Sequence, residues 1–315
     1  MFLLILLFPL SVLGQSLDSS IMIFNDYDLS ICIQQVSRAQ QIGAKKINFI
    51  PTFYTKLNKK SVTSFHFKDK NAKSYALNKS NLTKMSSEFK KCMSYARDLN
   101  IAVILTPHID DLDNKLWRFY FNFNPLKKYQ GISYEDIILT LDTDFEIKYF
   151  ISAELEEMYF NFHKEMFEIS LKLKNKNGIN FNYNRNRRAP LYSYDFVGVS
   201  NYSALPLKIS HSIFREQLKK LRKELSKVKM HKLPLYYNEI GLGGRGDEFT
   251  FPLKPHEGIY GAFNDIKNPW RNIFKENYRK KYFKSLLDFL EGNKIEGVFI
   301  WNLDSFDVQG LYPYT

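Results

Sequence analysis

Two glutamates stand where a carboxylate is costly to keep without a task. Glu154 closes the apolar run Ile147-Lys-Tyr-Phe-Ile-Ser-Ala, and Glu239 closes Leu235-Tyr-Tyr-Asn before the chain opens into Gly241, Gly243 and Gly244. A carboxylate at the mouth of a buried strand loses hydration, so acids in such places collect where chemistry is done. Two of them facing one bond can divide the cleavage of an acetal. One, held protonated, donates to the leaving oxygen; the other attacks the anomeric carbon or activates water. For either glutamate alone the plainer reading is a salt-bridged surface residue, which holds for most of the 33 acids here. The pattern occurs twice, which favours function. Glu154 is preferred to Glu156 and Glu157, which suit the positive end of a following helix.

Other residues at the ends of apolar runs fit the same chemistry. His108 and Asp110 follow Ile101–Leu105, Asn201 and Tyr202 follow Phe196–Val199, Asn238 precedes Glu239, and Trp301 ends the run from Gly297. His108 and Asp110 suit sugar hydroxyls. Tyr202 could hydrogen-bond a carboxylate nucleophile and hold it ionised, or be one more rim aromatic among 20 tyrosines. An indole offers a flat face to pyranose C–H groups; the plainer reading of Trp301 is a core residue. The string His108-Ile-Asp-Asp-Leu-Asp113 resembles a metal cluster. A zinc site needs a complete ligand set, and the six histidines supply no partner at useful spacing. No metal and no cofactor is expected. A serine hydrolase is poorly supported, because no G-x-S-x-G elbow occurs.

The elements that must position these residues alternate. Apolar runs of strand length lie at 21–24, 47–50, 101–105, 147–151, 179–183, 196–199, 235–237 and 297–301. Helical stripes separate them: Cys32, Val36, Ala39 and Ile42; Met85, Phe89, Cys92, Met93, Ala96 and Leu99; Met158, Phe162, Ile169 and Leu173; Phe214, Leu218, Leu221, Leu225 and Val228; Phe283, Leu286, Leu287 and Leu290. Strand–helix alternation argues for parallel strands with crossover helices. About eight strands in 315 residues is the size of a TIM (β/α)8 barrel, an α/β fold of one domain. Active residues of such a barrel belong at the C-terminal strand ends, where all those named above fall. Residues 56–80, rich in Lys, Ser and Asn, read as a long surface loop. Residues 112–146 read as loop with a helix near Tyr134–Leu141.

Composition bounds the rest. Hydrophobic residues make up 44% of the chain, so a sizeable core is available and disorder is disfavoured. Net charge is +12, which favours polyanionic surroundings. Nucleic acid is not expected as partner, because no zinc-finger spacing, RNA-binding aromatic signature or glycine-rich nucleotide loop accompanies the charge. Met1–Gly14 is an apolar run too short to span a bilayer comfortably. It reads as a signal peptide, leaving 15–315 as the catalytic domain of a secreted or periplasmic protein, without stable membrane insertion and expected as a monomer. An uncleaved anchor is the alternative. Cys32 and Cys92, both on apolar helix positions, either pair or remain two buried thiols.

The ordered set Ile42-Gly-Ala-Lys-Lys-Ile-Asn48, Leu105-Thr-Pro-His108, Ser152-Ala-Glu154-Leu155, Asp195-Phe-Val-Gly198 with Tyr202, Asn238-Glu-Ile-Gly241 and Gly297-Val-Phe-Ile-Trp301 resembles the clan A glycoside hydrolases. It is most similar to glycoside hydrolase family 113, the endo-β-1,4-mannanase-like barrels, over residues 20 to 312. The resemblance implies retention of configuration, Glu154 as acid/base and Glu239 as nucleophile, with His108, Tyr202 and Trp301 lining the cleavage subsite. Ala153 departs from it, since many relatives carry Asn before the acid/base. The loops at 56–80 and 112–130 look private to this sequence. The family implies a mannan-type polysaccharide substrate; the charge points to a peptidoglycan-like glycan. A non-catalytic glycan-binding barrel and a membrane-tethered polyanion binder are the rival classes.

Overall fold

The computed structural model describes residues 19–24, 28–41, 43–69, 73–113, 115–116, 118–153, 160–182, 194–201, 211–227, 231–240, 284–286, 288–290, 293 and 295–300. Eight parallel strands close into a barrel. They are β1 (Ser19–Phe24), β2 (Lys46–Ile50), β6 (Ala102–Leu105), β8 (Lys148–Ala153), β9 (Lys176–Asn182), β10 (Phe196–Asn201), β11 (Leu235–Ile240) and β12 (Gly297–Ile300), and β12 pairs back onto β1. All eight runs read from the sequence are barrel strands, and the fold is the (β/α)8 barrel.

Alternation along each strand builds two cores. Ile50, Ile104, Phe150, Phe196, Tyr236 and Phe299 cluster inside the barrel, one from each of six strands. Their sequence neighbours Phe49, Leu105, Tyr149, Val197, Tyr237 and Val298 belong to the larger outer core shared with the helices. Both faces are buried, which is why these strands read as continuous apolar runs rather than alternating ones. Gly198 is required by the inner packing. A Cβ there would lie 2.5 Å from the Phe150 ring, 2.7 Å from Asn180 Oδ1 and 2.9 Å from Asn238 Cβ.

Over the described residues the helices keep the predicted stripes; Ile42, Met158, Val228, Phe283 and Leu287 lie outside them. Helix α1 (Leu29–Gln41) buries Cys32, Val36 and Ala39. Helix α2 (Lys79–Asp98) buries Leu82, Met85, Phe89, Cys92, Met93 and Ala96, and starts at a capping box between Asn78 and Asn81. Helix α3 (Tyr134–Leu141) starts at a second box, between Ser133 and Asp136. Helix α4 (Phe160–Ser170) buries Phe162, Met166 and Ile169 and stops short of Leu173. Helix α5 (His211–Lys227) buries Phe214, Leu218, Leu221 and Leu225. Cys32 and Cys92 form a disulfide that ties α1 to α2. Of the two readings open at the sequence level, pairing is the one that holds.

One expectation fails. Residues 56–80 are not a loop. Strands β3 (Thr52–Asn58), β4 (Ser61–Lys68) and β5 (Ser74–Ala76) form a sheet with β7 (His108–Asp111), in the order β5-β4-β3-β7. The β3–β4 hairpin turns through Lys59 with φ of 57°. A lysine in the left-handed region carries none of the Gly or Asn-Gly signal that marks such turns. The strands are amphipathic, with Phe53, Val62 and Phe65 joining the outer core.

Candidate active site

Strand β2 runs through Pro51 into β3, and β6 runs through Pro107 into β7. The two composite strands stay in one register throughout. Lys46 pairs with Ala102, Phe49 with Leu105, Thr52 with His108 and Thr55 with Asp111. The join is kept by Thr106 N donating to Phe49 O at 2.8 Å and His108 N to Pro51 O at 2.9 Å. With no slip, the rows that face the barrel interior continue above its mouth. Asn48, Ile50, Thr52 and Tyr54 form one row; Ile104, Thr106, His108 and Asp110 form the other. The rows turn polar as they rise past Ile50 and Ile104, so the side sheet is a wall standing on the C-terminal rim.

His108 is buried at the foot of that wall. Arg118, on a 3-10 turn at Arg118–Tyr120, lies 3.0 Å from His108 Nδ1 through one guanidinium nitrogen and 3.0 Å from Asp110 Oδ1 through the other. A guanidinium only donates, so Nδ1 accepts and the neutral ring carries its proton on Nε2. Burial, and then the charge of Arg118, hold the His108 pKa well below the usual histidine value. His108 is therefore an uncharged hydrogen-bond donor at neutral pH. Arg118 thus joins His108 and Asp110, the two residues read from the sequence as suited to sugar hydroxyls. Arg118 itself was missed because it lies in the stretch 112–146, which has no periodicity to place it.

The metal-like string has another explanation. Asp111 Oδ1 accepts from the amide of Asp113, and Oδ2 from those of Lys115 and Leu116, at 2.8–3.2 Å. Its carboxylate shapes the turn after β7. Among the described residues no group of His, Cys, Asp and Glu could hold a metal ion.

Asn238 lies on β11 inside the barrel, in a ring of side-chain hydrogen bonds. Asn48 Nδ2 donates to Asn238 Oδ1 at 3.0 Å, Thr106 Oγ1 to Asn48 Oδ1 at 2.8 Å, and Asn238 Nδ2 to Thr106 Oγ1 at 3.4 Å. The ring links β2, the residue that follows β6, and β11 across the interior. It fixes β11 one residue before Glu239, whose backbone pairs with Ser200 near the strand's end. Nearby, Asn180 Nδ2 donates to Ser200 Oγ at 2.9 Å. Asn201 ends β10. Strand β8 ends at Ala153, the residue before Glu154. Reciprocal bonds dock α3 on that strand: Tyr134 Oη donates to Ile151 O at 3.4 Å, and Tyr149 Oη to Ile138 O at 3.0 Å. In the ring of strands, β9 and β10 separate β8 from β11 on one side, and β12, β1, β2 and β6 on the other. Glu154, Tyr202 and Trp301, and the side chains of Glu239 and Asn201, lie outside the described residues.

No family model matches the sequence, and no curated protein matches it. Solved structures do. The chain is similar to a GH113 β-1,4-mannanase solved in a complex, at TM-score 0.61 and 12% identity, over 93% of this chain and 90% of that one. It is similar to a GH113 β-mannanase from Alicyclobacillus acidocaldarius, at TM-score 0.51 and 12% identity, over 72% and 71% of the two chains. A third likeness is to Thermotoga maritima Cel5A solved with cellobiose, at TM-score 0.50 and 10% identity, over 95% and 94%. At such identities the likeness speaks for the fold, and it agrees with the resemblance carried by the motif order. The chain folds as the clan A glycoside hydrolases do.

Proposed function

We propose that this protein is a secreted, retaining, endo-acting β-glycoside hydrolase that cleaves a β-1,4-linked polysaccharide. The observation that carries the reading is one of position. Glu239 sits near the C-terminal end of β11, and Glu154 directly follows the last residue of β8, in a closed barrel. Those are the strand ends at which such barrels hold their chemistry.

In the proposed reaction Glu154, protonated, gives its proton to the glycosidic oxygen as that bond breaks. Glu239 attacks the anomeric carbon and forms a glycosyl ester. Glu154, now a carboxylate, takes a proton from water, which attacks the same carbon and releases the sugar with its configuration retained. This double displacement needs carboxyl groups about 5 Å apart. Neutral His108 supplies a fixed Nε2–H donor for a sugar hydroxyl, and Asp110, half-exposed on the wall, an acceptor. Tyr202 and Trp301 complete the subsite, the first beside the nucleophile and the second against the sugar face.

The test is reducing-sugar release from mannan, glucan, xylan, chitosan and peptidoglycan by wild type, Glu239→Ala and Glu154→Gln. Release lost in both variants supports the mechanism, and the polymer that responds identifies the backbone. Polymer binding without release, unchanged in both variants, would make the barrel a glycan-binding protein instead. Mass analysis of the exported chain tests whether the first 14 residues are removed.

A further inference from the structure

The wall above the rim carries charge that hydrolysis of a neutral glycan does not call for. Its mouth-facing rows are Thr52, Tyr54 and Lys56 on β3, Ser64, His66 and Lys68 on β4, and His108 and Asp110 on β7, set by the pairing of Tyr54 with His66, Lys56 with Ser64 and Tyr54 with Asp110. Lys68 Nζ lies over the Tyr54 ring, 3.9 Å from its centre, so its ammonium is held against the wall. The acids nearby already have partners: Asp110 with Arg118 and Asp113 with Lys115. Among the described residues neither Lys56 nor Lys68 has a carboxylate within ion-pairing distance. His66 adds no charge at neutral pH. Both ring nitrogens contact hydroxyls, those of Ser64 at 2.9 Å and Ser74 at 3.3 Å.

We propose that this face is a remote subsite for a β-glycan bearing carboxylates on successive sugars. The proposal rests on the hydrolase reading for the backbone and goes beyond it in the substituent. Two arguments select the occupant. The face continues the interior rows of the barrel, so a chain crossing the mouth beside His108 runs along it. The backbones of Lys56 and Lys68 stand in separate rows, four residues apart across the β3–β4 ladder, or ~13 Å at strand spacing, and the Lys68 ammonium leans back over Tyr54 without meeting Lys56 in a single cluster. Spaced ammonium groups match a polymer with repeated single charges. One phosphate is held by convergent donors, which this face lacks.

The experiment measures binding apart from turnover. Full-length protein carrying Glu239→Gln is titrated calorimetrically with β-1,4-mannohexaose and cellohexaose, each neutral and each oxidised to carboxylates at C6. The oxidised form of the preferred backbone binds about tenfold tighter at low salt. Lys56→Gln with Lys68→Gln removes that preference. Lys219→Gln with Lys223→Gln, the same charge change on α5, keeps it. Lys56→Glu, at an exposed position, reverses the preference without touching the Tyr54 contact. Equal binding of neutral and oxidised hexaoses, or equal loss of preference from the α5 pair, overturns the proposal. Failure of hydrolysis leaves the binding preference intact, and loss of preference leaves hydrolysis intact, so the two readings fail separately.

Discussion

Arg118 reaches His108 Nδ1 and Asp110 Oδ1 at the same 3.0 Å, one nitrogen to each. A single cation thus fixes the tautomer of one wall residue and neutralises the other. Arg118→Lys will not restore this arrangement, because one ammonium cannot span both partners in a planar fork. In Arg118→Met the cation that disfavours the imidazolium is gone, so His108 takes its proton at higher pH than in wild type, while burial still keeps the value depressed. Proton NMR titration of the histidine ring reads both. An unchanged His108 titration in Arg118→Met would remove Arg118 from the account.

The same histidine makes stability depend on pH. The unfolded ring protonates near 6.5, and the folded ring only well below that. Between those two points the unfolded chain binds more protons, so the contribution is full above pH 6.5 and falls as pH drops, by up to about 1.4 kcal/mol per unit. His66 is lowered by burial and by Lys56 and adds in the same direction. Urea denaturation from pH 7.5 to 5 should therefore show a shallower acid loss in His108→Gln, whose amide oxygen still accepts from Arg118.

Thr106→Val tests the interior ring. It removes the donor to Asn48 Oδ1 and the acceptor for Asn238 Nδ2 while keeping the shape. Leaving buried amide groups without partners costs about 1–3 kcal/mol. Because Asn238 holds β11 beside Glu239, kcat should fall along with the urea midpoint. A loss of stability without any loss of kcat would make the ring purely structural.

Two glycines separate crowding from backbone strain. Gly198→Ala drives a methyl group into Phe150, Asn180 and Asn238, and overpacking of this kind costs about 1–3 kcal/mol or more. Gly131 has φ of +88° with nothing within 4 Å of an added Cβ. Gly131→Ala pays only for the left-handed backbone, about 1 kcal/mol. Thermal melts should rank the two in that order.

The Cys32–Cys92 bond closes a separation of 60 residues, which in the chain-entropy account is worth about 4 kcal/mol. Scanning calorimetry with and without reductant, and of Cys32→Ser with Cys92→Ser, should show a common downward shift. Thiol titration of the unfolded, unreduced chain should find no free sulfhydryl.

Legibility followed burial. The barrel strands were readable because both of their faces are apolar, as in Phe196-Val-Gly-Val199 and Gly297-Val-Phe-Ile300, and α2 because its stripe keeps helical spacing. The side sheet was not, because one of its faces carries the polar residues Lys56, Ser64, His66 and Lys68 and its hairpin turns on Lys59. His108 and Asp110 stood out as candidates by their place after an apolar run. Arg118 had no such signal. Asn238 was found beside Glu239, but its engagement with Asn48 and Thr106, 190 and 132 residues away, is a product of barrel closure that local pattern does not encode.

The shared register of the two composite strands also limits how this protein can change by insertion and deletion. One residue lost or gained between Ile50 and Thr52 would turn Tyr54 and Lys56 to the outer side and Phe53 toward the mouth. A matching change at Pro107 would restore the pairing across the ladder while inverting both rows together. The rim and its wall therefore tolerate insertions of two residues far better than of one, and lineages that lengthen this cleft are expected to do so in even steps at both prolines.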